Sequence, residues 1–244
     1  MPELLAPEDW AKIEAGHAAG RISADEVLAL TRYHCEHDGL FWLKYVSTRD
    51  ESDPNKAVKP FPIHKEYVRQ LWWIFDHSTF AVIAKSRQMM VSWCVAAHAV
   101  WWARFKSNQA VYYQTKSFED AMSMVAMPEG GFEGRCQFIE SHLPEWLRTK
   151  CKISEGRIQY PNGSIIQALA GGADKIRGKT ASRIFQDEFA FADDQDGVYA
   201  AVAPLRQNGA AVFFISTPNG SSNLFSTLYH GRDVGRESSE SIKA

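Results

Sequence analysis

The sequence is poor in cysteine and lacks any paired cysteine motif. Its 244 residues contain four cysteines, Cys35, Cys94, Cys136 and Cys151, and each stands alone in the chain. This scatter excludes a disulfide framework and a zinc ribbon, because both need closely spaced pairs. It fits a reducing compartment such as the cytoplasm. The segment HCEH holds three possible metal ligands, but it lies in a helical pattern without a second ligand pair downstream, so we interpret it as part of a helix.

Long apolar runs and an excess of one charge are also missing. The longest apolar run, Met89 to Ala103, is interrupted by Ser92 and His98 and is too short to span a bilayer. No signal peptide pattern opens the sequence. Lysine and arginine number 27 against 29 acidic residues, a formal charge of −2. This balance argues against a surface wholly dedicated to nucleic acid, although a basic patch inside a ring or groove leaves the total unchanged.

What the sequence does contain is a regular alternation of strand and helix patterns after residue 80. With 45% apolar residues the chain can bury a substantial core. Helices are expected from Ser92 to about Phe105 and in SFEDAMSMVAM. The expected strands are FAVIA, AVYYQT, SIIQALA, SRIFQDEFAF and AAVFFIST. Strands that alternate with helices indicate a mostly parallel sheet covered on both faces, and hence an α/β fold.

The segments on either side of this pattern suggest a domain organisation. Ser23 caps a predicted amphipathic helix, ADEVLALTRYHCEHDGLFWLKYV. A polar break, STRDESDPNKAVKP, separates it from a second predicted helix, IHKEYVRQLWWIF. The end of the chain, HGRDVGRESSESIKA, is polar. We therefore expect a helical segment over residues 1–58 that packs on an α/β core over 59–228, and a tail or linker over 229–244.

The segment FAVIAKSRQMMVSW joins the first strand to the following helix. A P-loop binds phosphate through backbone N–H groups and a helix N-terminus, with a lysine on the phosphates and a hydroxyl on Mg²⁺. Ser92 supplies the hydroxyl, but Met90 and Val91 replace the usual Gly-Lys, so the charge must come from Lys85 or Arg87. A plain strand–loop–helix crossover is the alternative. The residues expected around phosphate are Lys85, Ser86, Arg87, Gln88, Met89, Met90, Val91 and Ser92.

Two further strand ends carry polar groups, and ligands of open α/β sheets bind at such ends. The strand RIFQDE ends in Asp187 and Glu188. Asp187 is suited to hold Mg²⁺ and Glu188 to orient and deprotonate an attacking water. The strand FFISTPNG ends in Ser216, Thr217 and Asn219, whose hydroxyl and amide groups can sense a γ-phosphate. A solvated acidic turn and a simple turn are the structural alternatives.

Three segments, KSRQMMVS, RGKTASRIFQDE and ISTPNG, in this order and at these separations, resemble the ATPase domain of the large terminase subunit of tailed bacteriophages. The resemblance covers about Phe61 to Gly220. It implies a RecA-like P-loop NTPase of the ASCE type, with a mostly parallel central sheet flanked by helices. It also implies Mg²⁺-dependent ATP hydrolysis that drives double-stranded DNA into a preformed capsid. Some members of the family carry the P-loop lysine at the front of the loop, where Lys85 stands.

The resemblance assigns roles to further residues. Arg177 matches an arginine finger that reaches the ATP of a neighbouring subunit, although a surface arginine or one that binds DNA phosphate is the alternative. His64 stands where the family often has a glutamine that reads adenine. Thr217 and Asn219 match a coupling motif that senses hydrolysis. Gln114, Thr115 and Lys116 match a segment near nucleotide or DNA.

The partners implied by the family are double-stranded DNA, the portal protein and the small terminase subunit. The family further implies a homo-oligomeric ring on the capsid, a monomer when isolated, and action in the host cell cytoplasm. A complete large terminase usually continues into an RNase H-like nuclease domain, for which this sequence leaves no room, so we expect an isolated ATPase portion. Two alternatives remain: a helicase-like or repair ATPase of the same fold, and a non-catalytic assembly protein with a degenerate nucleotide site.

Overall fold

The computed structural model describes residues 7–50, 58–86, 89–129, 132–231 and 240–242. Arg87 and Gln88 of the predicted P-loop therefore lie outside the described residues. The helices are α1 Pro7–Ala18, α2 Ala24–His37, α3 Gly39–Trp42, α4 Glu66–His77, α5 Val91–Phe105, α6 Phe118–Met124, α7 Arg135–His142, α8 Gln195–Gln207 and α9 Leu224–Tyr229. The strands are β1 Ser47–Arg49, β2 Val58–Pro60, β3 Phe80–Ala84, β4 Ala110–Gln114, β5 Lys152–Ser154, β6 Arg157–Gln159, β7 Ile165–Leu169, β8 Arg183–Asp187, β9 Ala211–Ser216 and β10 Glu240–Ile242.

Eight of the described strands form one sheet in the order β10-β3-β9-β8-β4-β7-β6-β5. The pairs from β10 through β7 are parallel, and only the β7–β6 and β6–β5 pairs are antiparallel. The predicted mostly parallel α/β sheet is therefore confirmed. The strand β9 lies between β3, which precedes the candidate P-loop, and β8, which ends in the acidic pair. Three strand ends with polar residues thus lie side by side.

The sheet is covered on both faces, and its two central strands β8 and β9 are buried at every position. All five side chains of β8 and all six of β9 are buried. On one face, Tyr113 of β4 and Phe185 of β8 share a core with helices α4, α5 and α7. On the other face, Tyr112 and Phe214 share a second core with α8 and α9. Alternate residues of one strand thus serve opposite cores, as the two-residue period of a strand requires.

The helix expected from Ser23 begins as predicted but ends early. The Ser23 hydroxyl accepts the Glu26 N–H at 3.2 Å, and the Glu26 carboxylate accepts the Ser23 N–H at 2.9 Å, which is a capping box. The prediction of one helix through to residue 46 is wrong, because Asp38 adopts an extended conformation and caps the separate α3. A Cβ on Gly39 would lie 2.2 Å from the Trp72 ring, so this break needs glycine.

The polar break between the first two predicted helices contains two strands. Strand β1 pairs antiparallel with β2, and Lys59 forms an ion pair with Asp50. Residues 51–57 lie outside the described part of the chain. The predicted domain boundary after residue 58 therefore crosses a hydrogen-bonded pair of strands.

The predicted tail over 229–244 is described only in part. Strand β10, Glu240–Ile242, pairs in parallel with β3 and so extends the sheet at its edge. Residues 232–239 and 243–244 lie outside the described residues. Within the described ranges, no helix is both long and apolar enough to cross a bilayer.

Candidate functional site

A cleft of about 920 Å³ opens at the carboxyl ends of β3, β8 and β9. We call it the P-loop cleft. Its walls include Lys85, Ser86 and Met89 to Ser92 from the candidate P-loop, Glu188 from the end of β8, and Thr217 from the end of β9. The cationic side chains in its lining are Arg49, Lys59, Lys85, Lys116 and Arg135, against the carboxylates of Asp50 and Glu188. This excess of positive charge suits a polyphosphate ligand.

Lys85 is the cation that the fold places closest to the acidic strand end. Its backbone N–H donates to the Ser216 carbonyl at 2.9 Å, which continues the β3–β9 pairing. Its Nζ donates to Asp187 Oδ1 at 2.6 Å, with 14% of the Lys85 side chain and 7% of the Asp187 side chain exposed. The front of the candidate P-loop and the predicted metal ligand are therefore in direct contact. Arg87, the other candidate cation of the loop, lies outside the described residues.

Asp187 is held by donors on both of its oxygens. Oδ1 accepts from Lys85 Nζ and, at 2.9 Å, from the Glu188 N–H. Oδ2 accepts from the Tyr113 hydroxyl at 2.6 Å, and Ser92 Oγ lies 3.5 Å from the same oxygen. Burial and the neighbouring Asp187 carboxylate raise the pKa of Tyr113 well above its usual value, so this phenol stays protonated and donates. The two residues expected to ligate a metal, Ser92 and Asp187, thus meet.

Glu188 differs from Asp187 although the two are adjacent. Asp187 is buried, whereas Glu188 is exposed and lines the P-loop cleft. Glu188 has φ 55° and ψ 31°, the left-handed conformation, which ends the strand and turns the chain into a short 3₁₀ helix over Phe189–Phe191. The two carboxylates therefore have different environments: Asp187 is held by hydrogen bonds, and Glu188 is exposed to the cleft.

Met90 occupies the N-cap of α5 with φ 52° and ψ 17°. This left-handed conformation favours glycine, and Met90 stands where the usual P-loop pattern has its second glycine. The backbone at Met90 is thus left-handed, as a glycine would allow, although the residue is a methionine. The N-terminus of the 15-residue helix α5 follows directly, and its first N–H groups have no partner within a helix.

The end of β9 is joined to the turn that follows Glu188. The buried Ser216 Oγ accepts the Ala190 N–H at 3.1 Å, and Asn219 Nδ2 donates to the Ala190 carbonyl at 3.1 Å. Gln195 Nε2 donates to the same carbonyl at 3.1 Å, while its Oε1 accepts the Phe225 N–H at 2.9 Å. The predicted coupling residues Ser216 and Asn219 therefore both hydrogen-bond to the backbone of Ala190, and Thr217 lines the cleft.

Several residues singled out in the sequence lie away from this cluster. Arg177 is exposed and forms an ion pair with Asp174 at 2.8 Å, and His64 is exposed; neither lines the P-loop cleft of its own chain. Lys116 does line the cleft. Gln114 is buried instead and donates to the carbonyls of Ala170 and Gly172, so it supports the loop after β7.

The structure also brings residues to the site that sequence reasoning missed. Tyr113 reaches Asp187, and Arg135 comes from the N-terminus of α7 with its guanidinium 5.6 Å from the Trp93 ring. Arg49 and Lys59 come from the β1–β2 pair. The only signal for Tyr113 was its position in a strand. Nothing in the sequence indicated that the polar break would form a wall of the cleft. Among the described residues, no cluster of three or more His, Cys, Asp or Glu side chains suits a metal ion.

The strand order and the flanking helices define a RecA-like α/β fold, with the cleft at the ends of β3, β9 and β8. A family model described as terminase large subunit, T4likevirus-type, N-terminal, matches residues 82–243. The chain belongs to this terminase large subunit family, and the resemblance stated from its motifs is confirmed.

Individual relatives agree with the family match. The probable terminase large subunit gp28 of Escherichia phage Mu is 28% identical over 212 residues, which are 83% of this chain and 37% of the phage protein. The Mu-like prophage FluMu protein gp28 of Haemophilus influenzae is 30% identical over 176 residues, 68% of this chain and 33% of that protein. The crystal structure of the HK97 bacteriophage large terminase superposes with a TM-score of 0.59 at 10% identity, over 80% of this chain and 40% of that one. The chain thus spans about a third of the length of the two gp28 proteins that it matches.

Proposed function

We propose that this chain is the ATPase domain of a viral genome-packaging motor, which couples ATP hydrolysis to translocation of double-stranded DNA into a procapsid. The observation that carries the proposal is the meeting of Lys85, Ser92 and Asp187 in a cationic cleft that Glu188 also lines. Membership of the terminase large subunit family supports it. The proposal makes the protein an ATP hydrolase.

Phosphate binding follows from the P-loop cleft. The N-terminus of α5 offers backbone N–H groups and the positive end of its dipole to the phosphates. Lys85 supplies the lysine charge from the front of the loop, in place of the usual lysine at the position of Val91. Its flexible side chain lines the cleft, so it can turn from Asp187 to a phosphate bound there. The described loop residues that line the cleft, Ser86 and Met89 to Val91, would then lie beside the phosphates.

Ser92 and Asp187 are the residues suited to hold Mg²⁺, because hydroxyl and carboxylate oxygens are the ligands that this ion prefers. Bound there, Mg²⁺ would neutralise charge on the β- and γ-phosphates. Glu188 lies next to Asp187 but is exposed to the cleft, so it is placed to orient a water molecule and accept its proton. The different surroundings of the two carboxylates divide these tasks.

Arg177 and the end of β9 complete the proposed cycle. Arg177 is exposed on its own subunit, which suits a finger that stabilises the γ-phosphate of a neighbouring subunit. Thr217 in the cleft and Asn219 on the Ala190 carbonyl are placed to transmit hydrolysis to the rest of the domain. The proposed partners are double-stranded DNA, a portal protein, a small terminase subunit and further copies of the chain in a ring, in the host cytoplasm. A role for His64 in reading adenine would require a nucleotide base that extends beyond the cleft.

A non-catalytic assembly role is the competing candidate, because Met90 and Val91 replace the Gly-Lys of the usual P-loop. Against it, the lysine charge, the hydroxyl and both carboxylates are present at the cleft. A helicase-like activity has no observation of its own in its favour.

The test is Mg²⁺-dependent ATP hydrolysis and ATP binding by this chain at increasing protein concentration, for the wild type and Glu188→Gln. We expect turnover to rise with concentration, and Glu188→Gln to bind ATP but lose about 100-fold or more in turnover, as expected for removal of a general base. Asp193→Asn is the matched control, since Asp193 is an exposed carboxylate of the same acidic turn that does not line the cleft. Unchanged hydrolysis by Glu188→Gln would remove that residue from the base role. Absence of ATP binding by the wild type would support the assembly protein.

A further inference from the structure

Tyr113 lies beneath the P-loop cleft and contacts Asp187 directly. Its hydroxyl donates to Asp187 Oδ2 at 2.6 Å, and its side chain is 6% exposed. The ring packs in the core on the α5 face of the sheet. The phenol is thus a fixed donor on the oxygen that also lies near Ser92 Oγ.

The sheet register explains this contact. Strands β4 and β8 pair in parallel with Tyr113 opposite Phe185, so Asp187 is two residues further along β8 on the same face. A diagonal neighbour at this spacing is within reach of a long aromatic side chain. Tyr112, the preceding residue, points to the opposite core. Only Tyr113 of this pair can therefore reach the carboxylate.

We propose that Tyr113 is a positioning residue that fixes the Asp187 carboxylate for Mg²⁺ binding. The inference rests on the proposed ATPase function and adds a residue to its site. A donor that holds a ligating carboxylate sets the direction of the free lone pairs, and removal of such a partner weakens metal binding.

The need for Tyr113 arises when nucleotide enters. In the structure, Lys85 Nζ and the Glu188 N–H both donate to Oδ1 of Asp187, while Tyr113 donates to Oδ2. When Lys85 turns to the phosphates, Oδ1 keeps the Glu188 N–H and Oδ2 keeps the Tyr113 hydroxyl. One fixed donor on each oxygen still prevents rotation of the carboxylate. Without Tyr113, the donors left among the described residues after Lys85 leaves would be the Glu188 N–H and, at the longer distance of 3.5 Å from Oδ2, Ser92 Oγ.

The test measures binding without turnover. The probe is a fluorescent, non-hydrolysable ATP analogue, titrated onto this chain at a series of Mg²⁺ concentrations and in EDTA. Tyr113→Phe removes one oxygen atom and keeps the ring, so the packing is retained. We expect the Mg²⁺ concentration for half-maximal binding to rise about tenfold, while binding in EDTA stays at the wild-type level.

Tyr112→Phe is the matched control, because Tyr112 is on the same strand, is also 6% exposed and faces the other core. It should leave the Mg²⁺ dependence unchanged. The inference is overturned if Tyr113→Phe has the wild-type Mg²⁺ dependence, or if it weakens binding equally in EDTA. Either result leaves the proposed function standing when the wild type binds the analogue. If the wild type binds no analogue under either condition, the proposed function fails and the inference fails with it.

Discussion

Backbone strain is concentrated at the candidate site. Among the described residues, the non-glycine residues with positive φ are Met90, Asn108 and Glu188. Two of these three line the P-loop cleft: Met90 is the N-cap of α5, and Glu188 follows Asp187 at the end of β8. Such conformations cost free energy and persist where the surroundings enforce them, often at functional sites. Their position favours a functional site over a plain strand–loop–helix crossover.

The strain at Met90 gives a prediction at the scale of one residue. We expect Met90→Val to lower the free energy of unfolding by about 1–2 kcal/mol more than Met89→Val, because a β-branched side chain fits the left-handed conformation least well. Both methionines are partly buried and pack against the same core. Urea unfolding of the two variants measures the difference. Equal losses would show that the backbone at Met90 imposes no special demand.

The central elements could be predicted from the sequence because their periodicity is strong. The five apolar strands from β3 to β9 and helix α5 were expected close to where they lie. The strand pattern also placed Lys85 and Asp187 at strand ends, where ligands of open α/β sheets bind, but it left the phosphate cation as either Lys85 or Arg87. The contact of Tyr113 with Asp187 depends on the pairing of β4 with β8, which periodicity does not specify. Short polar strands such as β1 and β2 carry almost no periodic signal, so their place in the cleft was not predictable.

The junction of α4, α5 and β8 holds a buried histidine. His98 of α5 donates from Nε2 to Asp76 Oδ1 of α4 at 2.9 Å, and Arg183 of β8 lies nearby, with its guanidinium 3.5 Å from the Trp102 ring. Burial and the Arg183 charge lower the pKa of His98 to about 4 from 6.5, against the opposing effect of Asp76. Within the described residues His98 Nδ1 has no hydrogen-bond partner, so a second ring proton there would be buried and unpaired.

This junction gives a prediction at the scale of elements. Because the folded pKa is below the unfolded one, the unfolded chain binds the extra proton as the pH falls from about 6.5 to about 4. His98 should therefore remove about 3 kcal/mol of stability across that window, and none above it. Urea unfolding at a series of pH values measures this slope, which His98→Gln should flatten. His77→Gln, at an exposed histidine of α4, is the control. A slope in His98→Gln equal to that of the wild type would contradict the assignment.

At the scale of the whole molecule, the proposed arginine finger lies outside the P-loop cleft of its own chain. Among the described residues that line the P-loop cleft, Arg177 is missing, and its side chain is 59% exposed beside Asp174. This position of Arg177 fits the proposed role of a finger that delivers positive charge across a subunit boundary.

Mixing two inactive variants tests this arrangement. Arg177→Ala keeps Glu188 but offers no finger, whereas Glu188→Gln keeps Arg177 but has no base. If Arg177 acts in trans, a Glu188→Gln subunit can supply its arginine to the intact cleft of an Arg177→Ala neighbour. We therefore expect each variant alone to have little ATPase activity and the mixture to regain part of the wild-type rate, most clearly at high protein concentration.

The control is a chain that carries both substitutions, because it can complete no neighbouring site and should restore nothing to Arg177→Ala. A mixture no more active than the sum of its two components would place Arg177 outside the trans role, even if Arg177→Ala alone were inactive. Recovery with the doubly substituted chain would mean that association alone, rather than the arginine, activates the cleft. Only the Arg177 side chain differs between the two helper chains, so their difference isolates the finger from assembly.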